Sequence, residues 1–283
     1  MKKIFISVLL TCTTSVMFGQ SLSENLIQKI RSQYKPTSSE KALRNALGAT
    51  DLKALAVNQD NRQELNTFFS NEVPGKGITD QESSGRCWLF TGTNVMRAKI
   101  IADHNLPDFR LSQVYLFFWD QLEKSNLFLQ GVIDTRNKPM DDKMVEWLFK
   151  NPIGDGGQFT GISDLTAKYG IVPLAIMPET YISNNTSQFS RLLESKLREY
   201  AISLRDDKKS SVKALIGKKE EMLKTIYRML ATAYGEPPTE FDFAFKDKEG
   251  KYLSAPKHYT PQSFYKEMIG ENLNENYIML MND

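Results

Sequence analysis

Gln81-Glu82-Ser83-Ser84-Gly85-Arg86-Cys87-Trp88-Leu89-Phe90 brings a turn, a helix start and a lone thiol into ten residues. Ser83, Ser84 and Gly85 favour a loop and a helix cap. From Cys87 onward the apolar residues Leu89, Phe90, Val95, Met96, Ile100 and Ile101 recur at helical spacing. The spacing predicts a helix over residues 87–101 that Cys87 opens. Unpaired amides and aligned peptide dipoles at a helix N-terminus favour negative charge, and so favour thiolate over thiol. Gln81 lies six residues upstream across the Ser/Gly turn. There its side-chain amide, together with the Cys87 backbone N–H, would hold a developing oxyanion. A lone cysteine is otherwise read as a small buried hydrophobe; the glutamine and the helix start turn the reading toward a nucleophile.

Gln followed six residues later by Cys-Trp resembles the papain-like cysteine peptidases. The run from Ser83 to Phe90 resembles their bleomycin hydrolase and aminopeptidase C branch. Papain itself has a cysteine where this chain has Ser84, so the disulfide formed there has no counterpart. The likeness continues through Leu111-Ser112-Gln113-Val114-Tyr115-Leu116-Phe117-Phe118-Trp119-Asp120, Asn151-Pro152, Asp155-Gly156-Gly157-Gln158, Lys168-Tyr169-Gly170-Ile171-Val172-Pro173 and Met177-Pro178-Glu179-Thr180-Tyr181. It is weaker in Gly235-Glu236-Pro237-Pro238 and at residues 277–283. The resemblance implies an α+β, papain-like fold, present here mainly as the helical domain plus a helical insertion, with the β domain largely missing. It implies Cys87 as nucleophile, Gln81 as oxyanion donor, Trp88 as a shield, and Gly156 and Gly157 along the substrate backbone. It also implies a peptide or amide substrate, aminopeptidase behaviour, no cofactor or metal, and a homohexamer.

From the residues alone, Gly156-Gly157 reads either as a plain turn or as an edge that an extended peptide can approach closely. Asp155 beside them is a candidate for orienting substrate.

The chain has 283 residues, 41% of them hydrophobic, and a mean hydropathy of −0.40. It is long enough for one large core or two modest ones. Met1-Lys2-Lys3, the apolar run from Ile4 to Leu10 and the small residues ending at Phe18-Gly19-Gln20 have the three regions of a secretory signal, with cleavage expected after Gly19. Leu9-Leu10-Thr11-Cys12 is a poor lipoprotein box. Removing Lys2 and Lys3 takes the net charge from +2 to zero, so composition offers no argument for nucleic acid or an anionic membrane. Cleavage also removes Cys12, leaving Cys87 as the only thiol and excluding an internal disulfide.

The expected organisation is a signal peptide over 1–19, a helical arm over 20–75, a papain-like helical domain over 76–182, a helical insertion over 183–235 and the start of a β domain over 236–283. The arm carries expected helices at 22–34, 39–47 and 51–57 and a further segment at 61–69; it reads equally as a packed arm or as a loosely ordered leader. Helices are expected from 111 to 127 or beyond and at 142–149 and 162–169. An extended stretch at 177–181 and a polar loop at 183–187 follow, then two long helices over 192–204 and 212–230. Alternating Phe241, Phe243 and Phe245 with a turn at Lys248-Glu249-Gly250 predict a hairpin. A helix from Thr260-Pro261 and an apolar strand at 277–281 close the chain.

A cysteine peptidase needs a base, and the chain has two histidines, His104 and His258. At about 1.5 Å per residue, a helix beginning at Cys87 puts His104 roughly 25 Å away. His258 reads as a loop residue without the apolar strand context the family gives its histidine. The family's Asn-Ser-Trp-Gly stretch does not occur. Three explanations stay open: a fragmentary gene product, a portion of a longer chain, or a protein that binds through the same cleft without catalysis.

Overall fold

Two compact units divide the chain between Ser70 and Asn71. The computed structural model describes residues 22–58, 60, 68–73 and 77–277. The expected leader, residues 61–67 of the arm and all but Tyr277 of the expected closing strand lie outside the described residues.

The first unit holds α1 (Glu24–Gln33), α2 (Ser38–Ala49) and α3 (Leu52–Leu55). Short side chains start each of them. Ser23 accepts from the Leu26 N–H, Thr37 and Glu40 form a reciprocal capping box, and Asp51 accepts from the Lys53 N–H. Gly48, expected to end the second helix, lies inside its last turn. No residue of these three helices is buried.

The second unit begins with α4 (Cys87–Asp103) and α5 (Gln113–Asp134), followed by α6 (Lys143–Lys150) and α7 (Phe159–Tyr169). A short α8 (Tyr181–Asn184) leads into α9 (Ser187–Asp206) and α10 (Val212–Tyr234). Strands β1 (Phe241–Phe243) and β2 (Lys257–Tyr259) form one antiparallel pair, with Asp242 opposite His258, and α11 (Pro261–Met268) and α12 (Leu273–Asn276) follow. The described residues are therefore mostly helical with one small sheet, the balance expected of the helical part of an α+β fold.

Helix α5 is the centre. Val114, Leu116, Phe117 and Phe118 all lie at 0% exposure, so its first turns are apolar on every side, and α4, α6, α7, α9 and α10 pack around it. Ser112 starts it by accepting from the Tyr115 N–H. Gly170 and Gly235 end α7 and α10 with φ of +76° and +90°, a backbone region that glycine enters without steric cost.

Two expectations are corrected here. Residues 183–187 are not a loop: Ser183 and Asn184 belong to α8, which Thr180 and Ser183 cap reciprocally, and α9 starts at Ser187. His258 sits in β2, not in a loop. Among the described residues no helix is long and apolar enough to cross a membrane.

Candidate active site

Cys87 is the first residue of α4, exposed and free. The helix start is built differently from the expectation. Arg86 occupies the cap position without a side-chain cap bond, while the serines serve the turn before it. Ser84 Oγ donates to the Gln81 carbonyl at 2.6 Å and accepts from Arg86 Nε at 2.9 Å. Gln81 Nε2 donates back to the Ser84 carbonyl, so the two residues close a ring. A carboxamide nitrogen carries two hydrogens, and Ser84 takes one.

Arg86 is wholly buried beneath this turn. Its Nη1 donates to Glu179 Oε2 at 2.7 Å and its Nη2 to Asn184 Oδ1 at 3.3 Å. Glu179 also accepts from the Val114 N–H at the start of α5, at 3.1 Å, and from Ser183 Oγ at 2.6 Å. The guanidinium lies 5.3 Å from the Phe90 ring centroid and 5.5 Å from that of Phe117. A charge this deeply buried is tolerable only when paired and hydrogen-bonded, as it is here. Sequence reading passed over Arg86 as a support; the residues that hold it lie more than 90 positions downstream.

Trp88 is buried beside the thiol, with Nε1 donating to the Asp155 carbonyl at 2.8 Å. The indole covers Gly157 so closely that a Cβ there would lie 2.6–2.8 Å from three ring carbons. Packing of Trp88 thus already requires glycine at 157, whatever else binds. Gly156 is exposed, and a Cβ added to it would meet nothing within 4 Å. Lys124 secures this edge from behind. Its Nζ donates to the carbonyls of Gly154 at 2.9 Å and Gly156 at 2.7 Å and to Asp120 Oδ2 at 2.7 Å, and it sits 5.4 Å from the Trp88 centroid. Burial raises the pKa of Asp120 to about 6, against the opposing pull of Lys124. Next to Gly156 opens an apolar cleft of about 440 Å³ whose walls include Phe128, Trp147, Leu148 and Ile153.

The Asp155 carboxylate points into the protein. Oδ2 accepts from the Gly85 N–H at 3.3 Å and from Thr186 Oγ1 at 2.6 Å, and Oδ1 accepts from Ser190 Oγ at 3.1 Å. Cys87, Trp88, Asp155 and Gly157 are thereby joined, and Gln81 is tied to the same turn through Ser84.

Neither histidine joins them. His104 follows the last residue of α4, at the opposite end from Cys87, with its ring 5.0 Å from that of Phe245. His258 is exposed, with Nδ1 2.9 Å from Asp242 Oδ1 and Nε2 3.4 Å from Glu240 Oε2. The hydrogen bond to Asp242, with Glu240 adding to it, raises its pKa. Among the described residues no group of three or more His, Cys, Asp or Glu side chains is arranged to hold a metal.

The chain is similar to known proteins over most of its length. Aminopeptidase C of Lactobacillus delbrueckii subsp. lactis is 39% identical over 240 residues, covering 84% of this chain and 53% of its own. Human bleomycin hydrolase is 36% identical over 266 residues, covering 91% and 57%. The crystal structure of PepW from Lactobacillus rhamnosis superposes with a TM-score of 0.83 at 38% identity, covering 90% of this chain and 57% of that one. The chain thus spans about half the length of the curated relatives it matches. A family model matches residues 21–283, a span that takes in the thiol turn, the Asp155-Gly156-Gly157 edge and the helices that hold both: the chain belongs to the Peptidase C1-like family.

Proposed function

We propose that this chain carries the nucleophile half of a thiol peptidase of the aminopeptidase C and bleomycin hydrolase type. The observation that carries the reading is an exposed, unpaired Cys87 at the first position of α4, with Trp88 folded onto the glycine edge beside it. In this reading the Cys87 thiolate attacks a peptide or amide carbonyl. Gln81 Nε2 and the Cys87 N–H receive the oxyanion, Trp88 shields the sulfur, and the main chain at Gly156 and Gly157 aligns the substrate backbone. Water then hydrolyses the acyl-enzyme. The proton acceptor is a histidine outside these 283 residues, since His104 and His258 are both engaged elsewhere. Export by the leader and assembly as a hexamer belong to the same proposal; N-terminal sequencing of secreted material and light scattering test them.

The central test is capture of Cys87 by a dipeptidyl chloromethyl ketone with a free amino group. Sulfur displaces chloride, forming one C–S bond and breaking one C–Cl bond. The rate is divided by that for iodoacetamide and compared with the same ratio for glutathione. A ratio at least tenfold above that of glutathione, lost in Gln81→Ala, supports the reading; a ratio equal to that of glutathione overturns it. A second reading, a cleft that binds peptides without cleaving them, is favoured by the absence of either histidine beside the thiol. It predicts tight peptide binding that survives Cys87→Ala, with no turnover when a histidine-bearing segment is supplied.

A further inference from the structure

Three segments far apart in sequence meet at one carboxylate. Gly85 comes from the thiol turn, Asp155 from the glycine edge, and Thr186 and Ser190 from the residue before α9 and from its first turn. Both carboxylate oxygens are engaged, with donor distances of 2.6–3.3 Å, and the Asp155 carbonyl takes the Trp88 N–H as well. The fit around Gly85 is close: a Cβ there would stand 2.7 Å from Asp155 Cβ. A main-chain joint runs alongside, in which the Ser83 N–H donates to the Asn184 carbonyl at 2.9 Å and the Thr186 N–H to the Ser83 carbonyl at 3.3 Å.

We propose that Asp155 is a positioning residue, which clamps the first turn of α9 to the thiol turn and so sets where Cys87 stands relative to the Gly156–Gly157 edge. Its carboxylate needs no contact with substrate to do this. The long helices α9 and α10, expected as an insertion, then become the frame against which the nucleophile is aligned. The consequence for chemistry rests on Cys87 being the nucleophile; the mechanical coupling does not.

The clamp depends on acceptor geometry more than on charge. Asparagine in the same rotamer keeps an oxygen toward the Gly85 N–H and Thr186 Oγ1, and turns its NH₂ toward Ser190 Oγ, which can accept. Asp155→Asn is therefore the conservative rescue and Asp155→Ala the loss. Hydrogen exchange of peptides covering residues 83–90 is measured in the full chain, alongside the ratio of chloromethyl ketone to iodoacetamide capture. The proposal expects Asp155→Ala to speed exchange in 83–90 at least tenfold more than in α10 and to lower the capture ratio at least fivefold. Asp155→Asn stays within threefold of the parent on both measures. Thr186→Val combined with Ser190→Ala, which leaves Asp155 in place, reproduces the alanine result and serves if Asp155→Ala does not fold.

Exchange that is unchanged at 83–90, or that rises equally throughout the 71–283 unit, overturns the clamp. So does an asparagine variant as impaired as the alanine one. A capture ratio matching that of glutathione in the parent chain would instead sink the peptidase reading, while exchange would still judge the clamp.

Discussion

Gly157 illustrates how one residue can be determined by its neighbour. With indole carbons 2.6–2.8 Å from where its Cβ would be, Gly157→Ala must displace either the ring or the main chain at 156–157. Overpacking of this kind costs about 1–3 kcal/mol, and urea unfolding is expected to register a loss in that range. Asp120 gives a second prediction at this scale. Its folded pKa of about 6 lies above the ordinary 3.8, so the folded chain holds this proton more tightly than the unfolded chain does. Its stabilising contribution is therefore full below about pH 4 and is lost as pH rises through about 6. Asp120→Asn should remove that dependence. The stability difference between parent and variant should change by on the order of 3 kcal/mol between pH 4 and pH 7, measured by denaturant unfolding at each pH. The start of α4 at Cys87 was legible in the sequence because the apolar periodicity begins there, and Gln81 stood out by its short spacing from it, whereas Trp88 was singled out only by the family resemblance. The inward turn of Asp155 was not legible, because its donors lie 70 positions upstream and 31 and 35 downstream, and nothing local points to them.

Among the elements, the junction of α7 with α11 is the least forgiving. Gly170 has φ +76°, and a Cβ there would lie 2.2 Å from the carbonyl carbon and oxygen of Pro261 and 2.5 Å from the Gln262 nitrogen. Those are backbone atoms that cannot rotate aside, and the Ile171 N–H donates to the same Pro261 carbonyl at 3.2 Å. Strain and clash add, so Gly170→Ala is expected to cost about 3 kcal/mol or more, seen as a lowered urea midpoint with an unchanged slope. Most helices were readable from apolar spacing: Asp142 and Thr260 start helices where the sequence placed them, and Ser112 caps α5 one residue after the expected start at 111. Helix α8 was missed for a physical reason. Its Thr, Ser and Asn side chains have the composition of a solvated loop, yet Ser183 is buried and Asn184 accepts from Arg86. Only the partner, 98 positions upstream, shows that these polar groups face inward.

Across the 71–283 unit, α5 binds the rest together, and Phe117 links two of its neighbours. It has 0% exposure and lies 5.4 Å from the Tyr234 ring on α10 and 5.5 Å from the Arg86 guanidinium under the thiol turn. Truncation to alanine would open a cavity touching both, at a cost of about 3–5 kcal/mol. All three tryptophans, Trp88, Trp119 and Trp147, fall inside this unit, so their fluorescence reports on it alone. Phe117→Ala is expected to shift one cooperative transition, not to split it in two. The family and the helical architecture were legible because the motifs recur along most of the chain. The sequence placed the end of the arm at residue 75, and the two compact units divide between Ser70 and Asn71.

Beside the side-chain clamp, the joint between Ser83 and the start of α9 carries two bonds between peptide groups. Those two bonds do not depend on which side chain residue 83 carries, whereas Asn184 and Thr186 on the other side also hold Arg86 and Asp155 through their side chains. Grafting experiments that exchange the long helical pair between relatives therefore have to move Asn184, Thr186 and Ser190 together with the thiol turn they hold.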